Sequence, residues 1–196
     1  MQATRLVFSL HPDQDQTQRL VELQSLFAEA CSWLAQTVRE TRCWNRVALH
    51  HLAYRQLREQ FPQLGSQMAC NVIYAVCRAA RQVYQGENSP WKLDKNPEAP
   101  LPLLQFAPTA PVYFDQRTLS MRKGCLSLYT LGGRMQFDVQ LSAKQAQLFE
   151  SGTPKETMLD RNRDGFFLTF FFEKPTRKEQ SAVLPEHVHV QAVATS

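Results

Sequence analysis

Residues 153–174 read TPKETMLDRNRDGFFLTFFFEK, and this stretch decides the fold. Two runs of strand-forming residues flank Asp164-Gly165, a pair suited to a tight hairpin. In the second run, Phe166, Phe167, Leu168, Phe170, Phe171 and Phe172 put apolar side chains on both sides. That pattern predicts a strand buried on two faces, as in a small closed barrel.

Working outward, the sequence from Val112 keeps the same texture. VYFDQ, TLSMR, CLSLYTL and MQFDVQL alternate apolar and polar residues, with turns at Lys123-Gly124 and Gly132-Gly133 and a short helix at Ala143–Glu150. One more strand stands at the other end of the chain. Over Thr4–Leu10, Leu6, Phe8 and Leu10 point one way and Arg5, Val7 and Ser9 the other, until His11-Pro12-Asp13 stops the run. A lone opening strand has to pair with the later sheet to hide its edges. The predicted fold is therefore α+β: an OB-like antiparallel β-barrel with a helical bundle inserted after the first strand. The expected division is 1–12 with 111–175 as barrel, 13–85 as helical insertion, 86–110 as a Pro-rich linker and 176–196 as a mobile tail.

Three helices fill the insertion. The first, capped by Asp13 or Asp15, runs to about Arg42 and buries Leu20, Leu23, Phe27, Ala30, Leu34 and Val38, which recur every three or four residues. The second covers roughly Arg46 to Gln60, with Leu49, Leu52, Ala53 and Leu57 inward, and ends before Pro62. The third begins at Gly65-Ser66 and reaches about Gln85 on a stripe of Met68, Val72, Val76, Ala79 and Val83. On its opposite face Asn71, Tyr74, Arg78, Arg81 and Gln85 share one side. Two guanidinium groups, flanking amides and an aromatic ring suit contact with phosphates and bases; a solvated face with a half-buried tyrosine fits the same spacing. The segment 86–111 holds six of the chain's eleven prolines and no periodicity, so it reads as a linker anchored by Trp91, Leu101, Leu103, Leu104 and Phe106. The ending PEHVHVQAVATS reads as a natural terminus, with His187 and His189 as exposed neutral side chains.

Composition narrows the classes. Of 196 residues, 43% are hydrophobic and 20% charged, which is too apolar for a disordered chain. The net charge is +4 and the pI about 8.9. Residues 1–84 carry nine arginines, no lysine and six acids. Arginine without lysine suits two-pronged contact with phosphate, although a genomic bias toward arginine gives the same count. The five cysteines lack zinc-ligand spacing, Cys70 and Cys77 fall on one apparent helix face as small hydrophobes, and an odd count without a signal peptide points to reduced thiols in the cytoplasm. No run approaches the roughly 18 apolar residues of a membrane span. The five histidines stand outside any catalytic motif, and no Gly-rich phosphate loop is present. Neither a cofactor nor a metal site is expected.

The order of these parts resembles the N-terminal half of the transposon-encoded TnpB/OrfB proteins, the RNA-guided nucleases related to type V CRISPR effectors. The likeness rests on RLVFSLHPDQDQTQRL at 5–20, FAEACSWLAQTVRE at 27–40, LGSQMACNVIYAVCRAARQVY at 64–84 and RDGFFLTFFFEKP at 163–175. It covers most of residues 4–175. Each motif is weakly specific alone, and their order carries the resemblance.

The resemblance implies a wedge-type barrel with inserted recognition helices that contact structured RNA, DNA or both. It carries Arg5 onto the opening strand and Asn71, Tyr74, Arg78 and Arg81 onto the third recognition helix. On the barrel side it points to Arg117, Arg122, Lys123, Lys155, Arg161 and Arg163. Two departures matter. The family's nuclease domain with its G-I-D-x-G strand, and its zinc ribbon, have no counterpart here, and Asp160 and Asp164 bracket a hairpin with no further acidic motif to join them. Cleavage by a metal-dependent route needs several converging carboxylates, so no catalytic residue is expected. The family's basic P-R-F-K-K stretch is replaced by PLPLLQFAPTAPVYF at 100–114, which favours a protein partner. The sequence thus supports a nuclease-free nucleic-acid binder first and a protein-interaction module in a larger assembly second. An enzyme of another kind comes third, and oligomeric state stays open.

Overall fold

The computed structural model describes residues 5–93, 96–173 and 184–192. The order of elements is β1 (Arg5–Ser9), α1 (Gln14–Thr41), α2 (Arg46–Gln60), α3 (Ser66–Gln85), β2 (Leu103–Phe106), β3 (Val112–Phe114) and β4 (Leu119–Arg122). There follow β5 (Cys125–Thr130), β6 (Gly133–Asp138), α4 (Ala143–Ser151), β7 (Glu156–Asn162), β8 (Gly165–Phe171) and β9 (Val188–Gln191). The fold is α+β. Two compact units divide it: residues 1–25 with 111–174, and residues 26–110 with 175–196.

In the first unit, β1 pairs with β8 as its lone apolar alternation requires. The register runs from Arg5 opposite Phe171 to Ser9 opposite Phe167. The sheet continues β1-β8-β7-β3, antiparallel throughout. Its inner face carries Phe8, Phe170, Leu168, Leu159, Val112 and Phe114, all buried. Phe149 of α4 packs on this face, with ring centres 5.1 Å from Phe170 and 6.4 Å from Phe8. Helix α4 starts at a capping box, Ser142 Oγ accepting from Gln145 N and Gln145 Oε1 from Ser142 N.

Strands β4, β5 and β6 form a separate meander. Its first turn is the predicted Lys123-Gly124, with φ of 49° and 78°. Two successive left-handed residues are what a two-residue hairpin needs to match strand twist. Gly124 is also close-packed, since a Cβ there would stand 2.8 Å from the Val139 carbonyl oxygen.

The expected barrel closure is not among the described residues: the ladders are open, and β1 and β3 are edge strands. The reason lies in the pairing. β4–β6 satisfy their hydrogen bonds with one another, so no ladder joins the two edges of the larger sheet. Burial of β8 is accordingly uneven. Phe166, Leu168 and Phe170 are covered, while Phe167 and Phe171 on the outer face stay partly exposed, and Val7 beside them is 52% exposed.

In the second unit, α1 keeps the predicted stripe, with Phe27, Ala30, Leu34 and Val38 buried, as are Leu20 and Leu23 in its N-terminal part. Its start is capped by Asp13, whose carboxylate accepts from Gln16 N at 2.8 Å. Helix α2 buries Leu49, Ala53 and Leu57. Leu52, predicted inward, is 52% exposed, because it lies about 100° around the helix from Ala53. Helix α3 is buried on most sides. Cys77 is inside, whereas Cys70 is only half-buried, so the two do not share an equal environment.

The Pro-rich segment is more than a linker. Its β2 pairs with β9, Leu103 opposite Gln191 and Phe106 opposite Val188, and Ser32 of α1 accepts from Phe106 N at 2.9 Å. Part of the expected mobile tail is thus strand. His189 is exposed on β9, and the carbonyl of half-buried His187 accepts from Ala107 N. The rest of the tail, 174–183 and 193–196, lies outside the described residues. Among the described residues no helix is long and apolar enough to cross a membrane.

Candidate nucleic-acid interface

The third helix contains no acidic residue, and its sequence puts Arg78 and Arg81 less than a turn apart. In the fold, α2 and the connection before it add to this charge. Arg46, the first residue of α2, sets its guanidinium carbon 5.4 Å from the centre of the Tyr74 ring. Arg78 Nη1 donates to the Tyr74 hydroxyl at 3.5 Å. One tyrosine therefore holds two cations, one on its electron-rich face and one on its oxygen. Among the described residues, Arg46 and Arg81 have no hydrogen-bond or ion-pair partner, and both are exposed.

Beside them lies a cleft of about 390 Å³ lined by Arg42, Cys43, Trp44, Asn45, Arg81 and Gln85. No carboxylate lines it. The connection that forms one wall is rigid for identifiable reasons. Asn45 caps α2 by accepting from Val47 N and Ala48 N. Arg42, at φ 52°, donates from its guanidinium to the carbonyls of Ala99 and Pro97. The Trp44 ring rests 5.2 Å from that of Tyr84, whose hydroxyl donates to Pro102 O at 2.6 Å.

The electrostatics of the buried neighbours fit this picture. Burial pushes the Tyr84 hydroxyl up to about 12, with Arg39 and Arg42 pulling the other way. Burial likewise pushes the Cys77 thiol up to about 12, against the opposing pull of Arg81 and Arg46. Both groups remain neutral near pH 7, so the positive charge of the surrounding arginines is not cancelled from below.

Of the predicted residues, Tyr74, Arg78 and Arg81 share this surface. Asn71 does not. It is 4% exposed and donates to the Met68 sulfur at 3.7 Å, because the helix is covered on that side as well. Arg42, Arg46 and Trp44 went unread as site residues, although RCWNR at 42–46 interleaves arginine with an aromatic ring in the manner of single-strand binders.

The barrel-side residues fall into separate groups. Arg122 and Lys155 line one cleft of about 370 Å³ with Met121, Phe149 and Thr157, and Lys123 sits in the adjoining turn. Arg5 is exposed on the edge strand at the Lys155 end of the sheet. Arg161 lies over the Phe166 ring at 5.4 Å, and Arg163 is exposed in the hairpin at the other end, about 20 Å away along the strands. Arg117 is exposed, and its carbonyl accepts from Arg134. Asp160 accepts from Arg161 N, Asp164 is exposed, and among the described residues no three His, Cys, Asp or Glu side chains cluster to hold a metal ion.

No family model matches the chain, and no curated protein matches it.

Proposed function

We propose that this chain is a non-catalytic nucleic-acid-binding module whose contact surface is the arginine-rich face of α3 together with the start of α2. One observation carries the reading: Arg46, held over the Tyr74 ring, and Arg81 stand exposed with no hydrogen-bond or ion-pair partner among the described residues, beside an acid-free cleft that holds Trp44. Guanidinium groups held ready for phosphate, next to an aromatic ring, are the ordinary equipment of polynucleotide binding. The likeness in element order to the recognition half of TnpB-type nucleases supports the same reading. In that reading β1 and β3–β8 correspond to a wedge-type barrel, and Arg122, Lys123 and Lys155 form a second contact. Five free thiols agree with a cytoplasmic setting.

Filter binding of the purified chain to structured RNA, single strands and duplex DNA at low salt tests the proposal. Retention of at least one of these, lost in Arg46→Ala/Arg81→Ala, is expected. No retention of any of them contradicts it.

A specific observation favours a second reading, a protein-interaction module. Val47, 66% exposed on α2, opens a cleft of about 320 Å³ with His50, His51, Cys70 and Ile73, and exposed apolar surface of this kind marks protein contacts more often than nucleic-acid contacts. Purification from the native cell separates the two. A stoichiometric protein partner with an absorbance ratio of bare protein supports the second, and co-purified nucleic acid the first.

A further inference from the structure

We infer that the ligand is a single-stranded polynucleotide, one unpaired base of which stacks on Trp44 while Arg81 and Arg46 hold the neighbouring phosphates. This rests on the nucleic-acid reading above and specifies its substrate.

The cleft beside Trp44, about 390 Å³, is in the size range of small-molecule sites rather than of a duplex groove. In a paired helix the base faces are already stacked. A side chain recessed in a cleft meets a base only when that base is splayed out of the strand. Trp44 is half-buried and lines the cleft with Arg81 and Gln85. These supply a π-face, a charge-assisted donor and an amide for base edges, while Arg46 stands on the adjoining turn of α2.

The platform is also preformed. Tyr84 supports the indole from the interior and is itself fixed to Pro102 O, while Arg42 ties the loop to the Ala99 and Pro97 carbonyls. A ring already held in place loses little freedom on binding, so more of the stacking energy appears as affinity. Because every base has a π-face, the site tolerates any sequence.

The test uses the full chain with four probes: a ribo- and a deoxyribo-oligonucleotide without secondary structure, and a duplex of each. Both single strands, or the ribo form alone if a 2′-hydroxyl is read, should bind and quench tryptophan emission, and the duplexes should compete poorly. Trp44→Leu should weaken single-strand binding about ten-fold, and Trp44→Phe, which keeps an aromatic face, by no more than about three-fold. Cys43 gives a readout that needs no variant, because it lines the same cleft. Bound single strand should slow its alkylation, and the same concentration of duplex should not. Single-strand binding with unchanged affinity in Trp44→Leu and no protection of Cys43 overturns the stacking and leaves nucleic-acid binding standing. Duplexes that compete as well as single strands also overturn it. Failure of the unmodified chain to bind any probe overturns the function itself, and this inference with it.

Discussion

Arg46 lies over the ring of Tyr74, its guanidinium carbon 5.4 Å from the ring centre, while the hydroxyl of the same tyrosine accepts from Arg78. The arrangement gathers like charges that would otherwise spread apart. It makes Tyr74 the residue that sets the geometry of the proposed interface. Tyr74→Phe keeps the ring and should cost no more than about two-fold in affinity for a single-stranded oligonucleotide. Tyr74→Ala releases Arg46 as well, and should weaken binding by about 0.5–1 kcal/mol, the range of an exposed cation–π contact. Titration of both variants against one oligonucleotide checks the difference.

Two arginines of the same cleft should separate by effect. Arg42 donates to two backbone carbonyls, so Arg42→Ala is expected to lower stability by about 1–2 kcal/mol in urea unfolding. Arg81 has no internal partner among the described residues. Arg81→Ala should leave the unfolding midpoint within about 0.5 kcal/mol of the parent and act on binding alone.

On α2, Leu57 is fully buried and Leu52 is half in water. Leu57→Ala should cost about 2–5 kcal/mol, and Leu52→Ala less than about 0.5 kcal/mol. Chemical denaturation of the two variants side by side checks the placement of the helix face.

Gly124 combines φ of 78° with the Val139 carbonyl 2.8 Å from any added Cβ. Gly124→Ala is therefore expected to destabilise the chain by about 2 kcal/mol or more, through left-handed strain and the clash together. Gly133, where φ is also positive but a Cβ meets nothing within 4 Å, should lose less on the same change. Thermal unfolding of the pair gives the comparison.

Stability should also fall at high pH, and the sign follows from burial. The Tyr84 hydroxyl titrates near 10 when exposed and near 12 in the fold. Between those values the unfolded chain has lost a proton that the folded chain keeps, so unfolding is favoured as pH rises. The stabilisation is complete below about pH 10 and gone once pH passes about 12. Tyr84→Phe, although less stable at neutral pH for want of its bond to Pro102, should show a shallower alkaline decline. Denaturation midpoints at pH 8 and pH 11 measure it.

Sequence reading works here where periodicity is strict and local. The stripe of α1, the Lys123-Gly124 turn and the antiparallel return onto β1 all follow from spacings of 3.6 or 2. Leu52 misleads because a stripe at every fourth residue leaves its i+3 neighbour at the margin. Asn71 misleads because amide side chains are normally solvent-facing, and nothing local reveals that α3 is covered on that side too. Closure of the sheet and the pairing of β2 with β9 depend on partners distant in the chain. The arginines were legible one helix at a time. Their convergence was not: Arg46 meets Tyr74 only once α2 has packed on α3.

The most direct measurement is the affinity for a single-stranded oligonucleotide between about 50 and 200 mM salt. With Arg46 and Arg81 on phosphates, log K should fall against log salt with a slope of about −1.4 or steeper, and Arg81→Ala should reduce it by about 0.7. Binding indifferent to salt, or none at the lower concentration, would contradict the account.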